Sequence, residues 1–236
     1  MSSEQRSNTA FTVLTAVTAV SLVVSLAVIF LKAPTEASMG IVQKIFYFHV
    51  PSAWGMYTGA IVCFVGSALY LWKGALRWDA LARAGADVAV TMGMMMMTSG
   101  PLWALKAWGR AWTWDPRLTT SLLSVLIYVA YVILRSFAAG GEAERRFGAA
   151  LGVLGAANLP IIHFAVRLWG GQHPQVVTGQ GGGLGHPDMK LAFALSSLTF
   201  LLLAAVLIWH RMRVHLSTSH LEALEQEALE LGLAGE

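Results

Sequence analysis

His49 stands in FYFHVPSAWGMY and His173 in LWGGQHPQ, far apart in the chain. Between them runs WALKAWGRAWTWDPRLT, from Trp103 to Thr119, where Trp103, Trp108, Trp112 and Trp114 alternate with Lys106, Arg110, Asp115 and Arg117. Imidazole is an axial ligand of heme iron, and ligation by two histidines needs one on each face of the macrocycle. Indole rings supply flat apolar area and tolerate a wet interface. Lysine and arginine pair with carboxylates such as the heme propionates. These residue types together are suited to hold a flat, anionic, aromatic ligand with a metal at its centre.

Other chemistries lack a part. A zinc hydrolase needs histidines at fixed helical spacing beside a carboxylate, as in HExxH, and no such run is present. An ion translocator needs ionisable groups inside its helices, where only His163 qualifies, with Asp87 near one end. Cys63 is the single cysteine, which rules out an internal disulfide, a CxxC pair and covalent heme attachment through CxxCH. The glycines of the segment before His186 have no GK[ST] after them, so they form no phosphate loop. Met92 and the run Met94 to Met97 suggest a soft metal, but neighbouring residues on a helix point in different directions, so they read as packing. The net charge of +3 comes from scattered basic residues, which argues against a nucleic-acid partner.

The elements that must position these side chains are membrane helices. The chain has 236 residues, 56% hydrophobic and 12% charged, where a soluble domain carries charge on about a quarter. Six stretches free of Asp, Glu, Lys and Arg are long enough to span a bilayer: Ser7 to Leu31, Val50 to Trp72, Val88 to Leu105, Leu118 to Leu134, Phe147 to Val166 and Leu191 to Trp209. Nothing alternates with period two, so the fold is expected to be all-α, an integral membrane bundle of six transmembrane helices. Of sixteen Lys and Arg, nine fall on one side, which places both termini in the cytoplasm and the connections 1–2, 3–4 and 5–6 outside. Residues 1–215 then form the membrane domain, and 216–236 a short cytoplasmic C-terminal helix or tail.

Local signals refine this frame. Pro51 suits the first turn of helix 2, with His49 just ahead of it at the interface, where it could equally be a belt residue. Ser99, Gly100 and Pro101 are expected to loosen the end of helix 3 and open the tryptophan stretch, which would lie on the membrane surface. Asp115-Pro116 is an N-cap followed by proline at the first helical position. Pro160 should kink helix 5 just before His163, which is either a functional group or a neutral imidazole bonded to a freed carbonyl. Ser219-x-x-Glu222 reads as a capping box opening a separate terminal helix.

In this order, FYFHVPSAW, WGRAWTWDPRLT, NLPIIH and LWGGQH resemble the CcmC family of cytochrome c maturation, membrane proteins with a tryptophan-rich WWD domain. The resemblance runs from helix 1 through helix 6. It implies a non-enzymatic protein of the bacterial inner membrane that binds heme b non-covalently at the periplasmic face and passes it to the periplasmic heme chaperone CcmE. An ABC transporter pair, CcmA and CcmB, and the small membrane protein CcmD would complete the complex. The family's essential histidines fall on His49 and His173 as axial ligands, and its WWD segment on Trp108, Gly109, Arg110, Trp112, Trp114, Asp115 and Arg117. His163 matches the PIIH motif in a supporting or structural role. Ala111 stands where the family often has another tryptophan, and Arg110 where a small polar residue is common. Two other functions stay open: a subunit that conducts heme or another solute through the bundle, and an assembly scaffold whose tryptophan segment binds only protein.

Overall fold

The computed structural model describes residues 3–137, 141–171, 173 and 184–231. Within them the order is α1 (Ser3–Ala27), continued by a wider π turn (Val28–Lys32), a 3-10 turn (Ile41–Ile45), α2 (Phe46–Lys73), α3 (Leu76–Trp108), α4 (Pro116–Phe137), α5 (Glu142–Trp169) and α6 (Pro187–Glu230). Among the described residues six helices are long and apolar enough to cross a membrane, and no strand occurs beyond the isolated bridge between Glu36 and Gly40.

The pair α2 and α3 forms the centre, with α4 and α5 on one side, α6 on the other and α1 outside α6. In lipid, helices associate through packing rather than water exclusion, so small residues that let backbones approach are the usual device. That is the arrangement here. A Cβ added to Gly59 would lie 2.5 Å from the Ala89 backbone nitrogen, and one added to Gly66 would lie 2.5 Å from that of Ala82. Around this seam Met56, Cys63, Met92, Tyr128, Tyr131 and Phe200 fill the core. Met92 and Met96 are buried while Met94 and Met95 are exposed, the dispersal expected of packing side chains.

Several boundaries differ from the sequence expectation, each for an identifiable reason. Helix α2 starts at Phe46, so His49 and Pro51 are both inside it. Pro51 cannot donate to the carbonyl of Tyr47, four residues back. The Ser196 hydroxyl of α6 donates to that carbonyl instead. The turn before α2 is tied down by Lys44, only 5% exposed, whose Nζ donates to the Ile29 and Ala33 carbonyls at 2.6 and 3.2 Å and so caps the end of α1.

Helix α3 begins at Leu76, after only Gly74 and Ala75, and so carries the charged residues that the sequence assigned to a loop. Asp79 on α3 pairs with Arg135 on α4 at 2.8 Å, with both side chains almost wholly buried. Buried charges persist in pairs because leaving either alone is costly. Asp87 accepts from Arg211 Nε and His215 Nε2, both at 2.7 Å. At its other end α3 passes through Pro101 and continues to Trp108. The expected break at Ser219 is absent: α6 is continuous from Pro187 to Glu230 and Ser219 is buried within it. A helix already in progress satisfies the amide groups that a capping box would serve.

Candidate functional site

At one end of the bundle four helices enclose a cavity of about 680 Å³, within the range of small-molecule and cofactor sites. Each helix contributes residues four apart, and such residues share a face. Helix α2 brings His49, Ala53 and Tyr57, α3 brings Met96, Gly100, Ala104 and Trp108, α4 brings Arg117 and Ser121, and α5 brings His163 and Arg167. Trp54, Trp103, Trp112 and His173 complete the aromatic and polar part of the lining.

His49 Nδ1 lies 3.1 Å from Ser99 Oγ, and that hydroxyl donates to the Met95 carbonyl at 2.6 Å. With its proton spent there, the hydroxyl accepts from the imidazole, which puts the ring proton on Nδ1 and leaves the Nε2 lone pair for a ligand. A Cβ on Gly100 would come within 2.9 Å of His49 Cε1, so the glycine makes room for the ring.

The tryptophan stretch has three parts. Trp103 and Trp108 belong to the last turns of α3 and meet edge to face, with centroids 5.6 Å apart. Gly109 ends that helix with φ +69°. Residues 110 to 115 form the connecting segment, in which Trp112 and Trp114 also meet edge to face at 5.7 Å. Trp112 lines the cavity, whereas Trp114 is 76% exposed and lies outside the lining. The surface platform expected from the sequence is therefore split between a helix end and a short loop. Arg110 is exposed and does not line the cavity; Arg117 does.

Asp115 is the N-cap of α4, as the sequence indicates: its Oδ1 accepts from the Arg117 amide at 2.8 Å and its carbonyl from the Thr119 amide at 2.9 Å. It is buried, and its carboxylate occupies the place where a side chain on Gly171 would go. Gly171 has φ +149°, a conformation that favours glycine. The Asp115 carboxylate thus packs directly against the chain two residues before His173. His163 lines the cavity and meets Phe164 edge to face at 4.9 Å. In the segment between α5 and α6, residues 174–183, with Gly179 and Gly181 to Gly183, lie outside the described residues.

Trp54, Tyr57, Ser99 and Arg167 belong to the site although sequence reasoning did not select them. The spacing of His49, Ala53 and Tyr57 is the signal that finds Tyr57 once α2 is begun at Phe46. His163 and Arg167 repeat the same interval on α5.

Among the described residues no three His, Cys, Asp or Glu side chains gather around a common point. A bare metal ion therefore lacks a ligand set there, whereas a metal carrying its own equatorial nitrogens needs only axial imidazoles. The lining joins three histidines, four indoles and two guanidiniums on a largely apolar wall. The Trp112 indole N–H is buried without a partner among the described residues.

A family model described as CcmC, heme exporter protein C, matches residues 2–227. Heme exporter protein C of Escherichia coli (strain K12) is 34% identical over 189 residues, which cover 77% of this chain and 73% of that protein. Heme exporter protein C of Bradyrhizobium diazoefficiens is 29% identical over 195 residues, covering 82% and 74%. A putative cytochrome c biosynthesis ccmC-like mitochondrial protein of Marchantia polymorpha is 26% identical over 174 residues, covering 74% of each.

Proposed function

Because the chain belongs to the CcmC family of heme exporter protein C, a multi-pass membrane family of cytochrome c maturation, we propose that its cavity holds heme b non-covalently for delivery to the periplasmic chaperone CcmE. His49 and His173 are the axial ligands. Trp108 and Trp112 lie against the porphyrin, and Arg117 and Arg167 pair with the propionates. The observation that carries this reading is the convergence of His49 and His173, from opposite halves of the chain, on one aromatic-walled cavity.

The chemistry asked of the protein is binding and release, without a bond to carbon. Two neutral imidazoles hold iron by coordination, indole faces bury the macrocycle, and guanidiniums neutralise the carboxylates. All three contacts are reversible, as a protein that hands its cargo on requires. In this reading the cavity faces the periplasm and both termini the cytoplasm, and CcmA, CcmB and CcmD are the membrane partners. Trp114 and Arg110 are exposed beside the cavity, and in this reading they meet the chaperone rather than the porphyrin. Conduction of heme through the bundle is the weaker reading, because the core below the cavity is packed with Met56, Met92, Val125 and Tyr128.

The test is the absorption spectrum of the purified protein. His49→Ala with His173→Ala should lose bound heme and its Soret band. A double variant that kept the heme content and Soret position of the parent would overturn the ligand assignment.

A further inference from the structure

Arg83 and Ala104 are about 30 Å apart along α3 at 1.5 Å per residue, so a second recess beside Arg83 lies at the end of the bundle away from the cavity. It has a volume of about 80 Å³ and is lined by Arg83 and Asp87 of α3, Tyr131 and Arg135 of α4, and Arg211 and His215 of α6. Three guanidiniums and an imidazole thus face one carboxylate, with Asp79 behind Arg135.

The acids present are already engaged. Asp87 Oδ2 accepts from both Arg211 and His215, and Asp79 Oδ2 from Arg135 Nη2. Arg135 has a side chain only 4% exposed, yet its Nε and Nη1 have no partner among the described residues, nor does the buried Tyr131 hydroxyl. A Cβ on Gly148 of α5 would meet the Arg135 stem at 2.8 Å, so the guanidinium is held by close packing as well as by Asp79. Arg83, half-buried, forms no ion pair within 4.0 Å among the described residues. Unpaired donors on buried cations are costly unless an anion or water meets them.

We propose that this recess binds a phosphate group, either the headgroup phosphate of an anionic phospholipid or free inorganic phosphate. Arg83, Arg135 and the Tyr131 hydroxyl donate to its oxygens, while Arg211, shared with Asp87, closes the rim. Guanidinium donors match phosphate geometry. Size narrows the choice: the recess, at about 80 Å³, is far smaller than the cavity of about 680 Å³ at the other end and suits a small anionic group. Access comes from the side. Ser136 of α4 is exposed at the rim and the Arg211 side chain is 41% exposed, so a lipid headgroup can enter between α4 and α6 with its chains still in the bilayer. Basic pockets between membrane helices are known lipid-headgroup sites. The heme reading is not needed for this assignment.

The experiment uses the full chain. Protein reconstituted in nanodiscs of phosphatidylcholine and phosphatidylglycerol is transferred to maltoside micelles and examined by native mass spectrometry. One phosphatidylglycerol per chain should survive conditions that strip phosphatidylcholine, and Arg83→Gln and Arg211→Gln should each reduce its retention about tenfold. In a parallel arm, phosphorus NMR of inorganic phosphate is recorded with delipidated protein in the same micelles. A bound signal there that Arg83→Gln abolishes, without lipid retention, identifies free phosphate as the source. Arg83→Gln, which breaks no ion pair among the described residues, should melt at the temperature of the parent. Arg211→Gln also removes a partner of Asp87, so its retention is read well below its own melting temperature, which separates a lost ligand from a lost fold. If neither ligand is held, or if retention is equal in the parent and both variants, the recess holds water and the proposal fails.

Discussion

Ser99 Oγ lies 3.1 Å from His49 Nδ1 and 2.6 Å from the Met95 carbonyl oxygen. One hydroxyl on α3 thereby sets both the tautomer and the ring orientation of the imidazole on α2. Groups that hold a ligating histidine in this way are commonly worth ten- to a hundredfold in metal affinity. Ser99→Ala should accordingly weaken heme binding by at least about tenfold in a Soret titration. Ser99→Thr, which keeps the hydroxyl, should restore it. Equal affinities for the alanine and threonine variants would show that the hydroxyl does not act through His49.

The basic residues around the tryptophan stretch separate by position. Arg117 and Arg167 line the cavity, while Arg110 is exposed outside it. A hydrogen bond to a charged group contributes about 1.5–3 kcal/mol, so Arg117→Ala and Arg167→Ala should each cost about tenfold or more in heme affinity. Arg110→Ala should change it by less than about twofold, a rim-like effect. Titration of the three variants at one ionic strength decides the order, and a larger loss at Arg110 would move the propionates to the loop.

Gly171 links the two halves of the site. Its φ of +149° and the Asp115 carboxylate against it leave no place for a side chain, and His173 follows two residues later. Gly171→Ala should therefore displace the histidine and reduce bound heme nearly as far as His173→Ala, with little change in melting temperature. Asp115→Asn should keep the helix cap, since asparagine caps as well as aspartate, whereas Asp115→Ala should cost about 1 kcal/mol of stability. Normal heme content in Gly171→Ala would show that the segment tolerates the displacement.

The sequence made the six spans legible because a bilayer imposes a length and an apolarity that few charges survive. It made Asp115 legible because an N-cap is a local matter of two or three residues. It did not reveal where α3 begins, since Asp79 looks like a loop residue until Arg135 of α4 is placed beside it, and the partners of Asp87, Arg211 and His215, come from α6. Residues on three helices settle that pairing, and no single stretch contains it. The site was half legible for the same reason. His49, His173, Trp108, Trp112 and Arg117 are marked by type, but Ser99, Tyr57 and Arg167 are common residues whose role appears only when helix faces converge.

Pro51 also explains why Ser196 faces α2 and not lipid. The proline removes the amide that would have met the Tyr47 carbonyl, and the Ser196 hydroxyl supplies the missing donor from α6. Hydrogen bonds between membrane helices average about 0.6 kcal/mol and reach about 1.7. This one should sit near the upper end, because the carbonyl has no helical alternative. Ser196→Ala should then destabilise the protein by about 1–2 kcal/mol in a detergent unfolding titration. In a Pro51→Ala background, where an amide returns to the helix, the same change should cost close to nothing, so the two substitutions are coupled rather than additive. Because His49 lies between Tyr47 and Pro51, Ser196→Ala alone should also loosen the start of α2 and lower heme affinity, and Pro51→Ala should recover part of that loss. Strict additivity in both stability and heme binding would mean that the serine stabilises α6 by some other contact and that Pro51 is tolerated without its help.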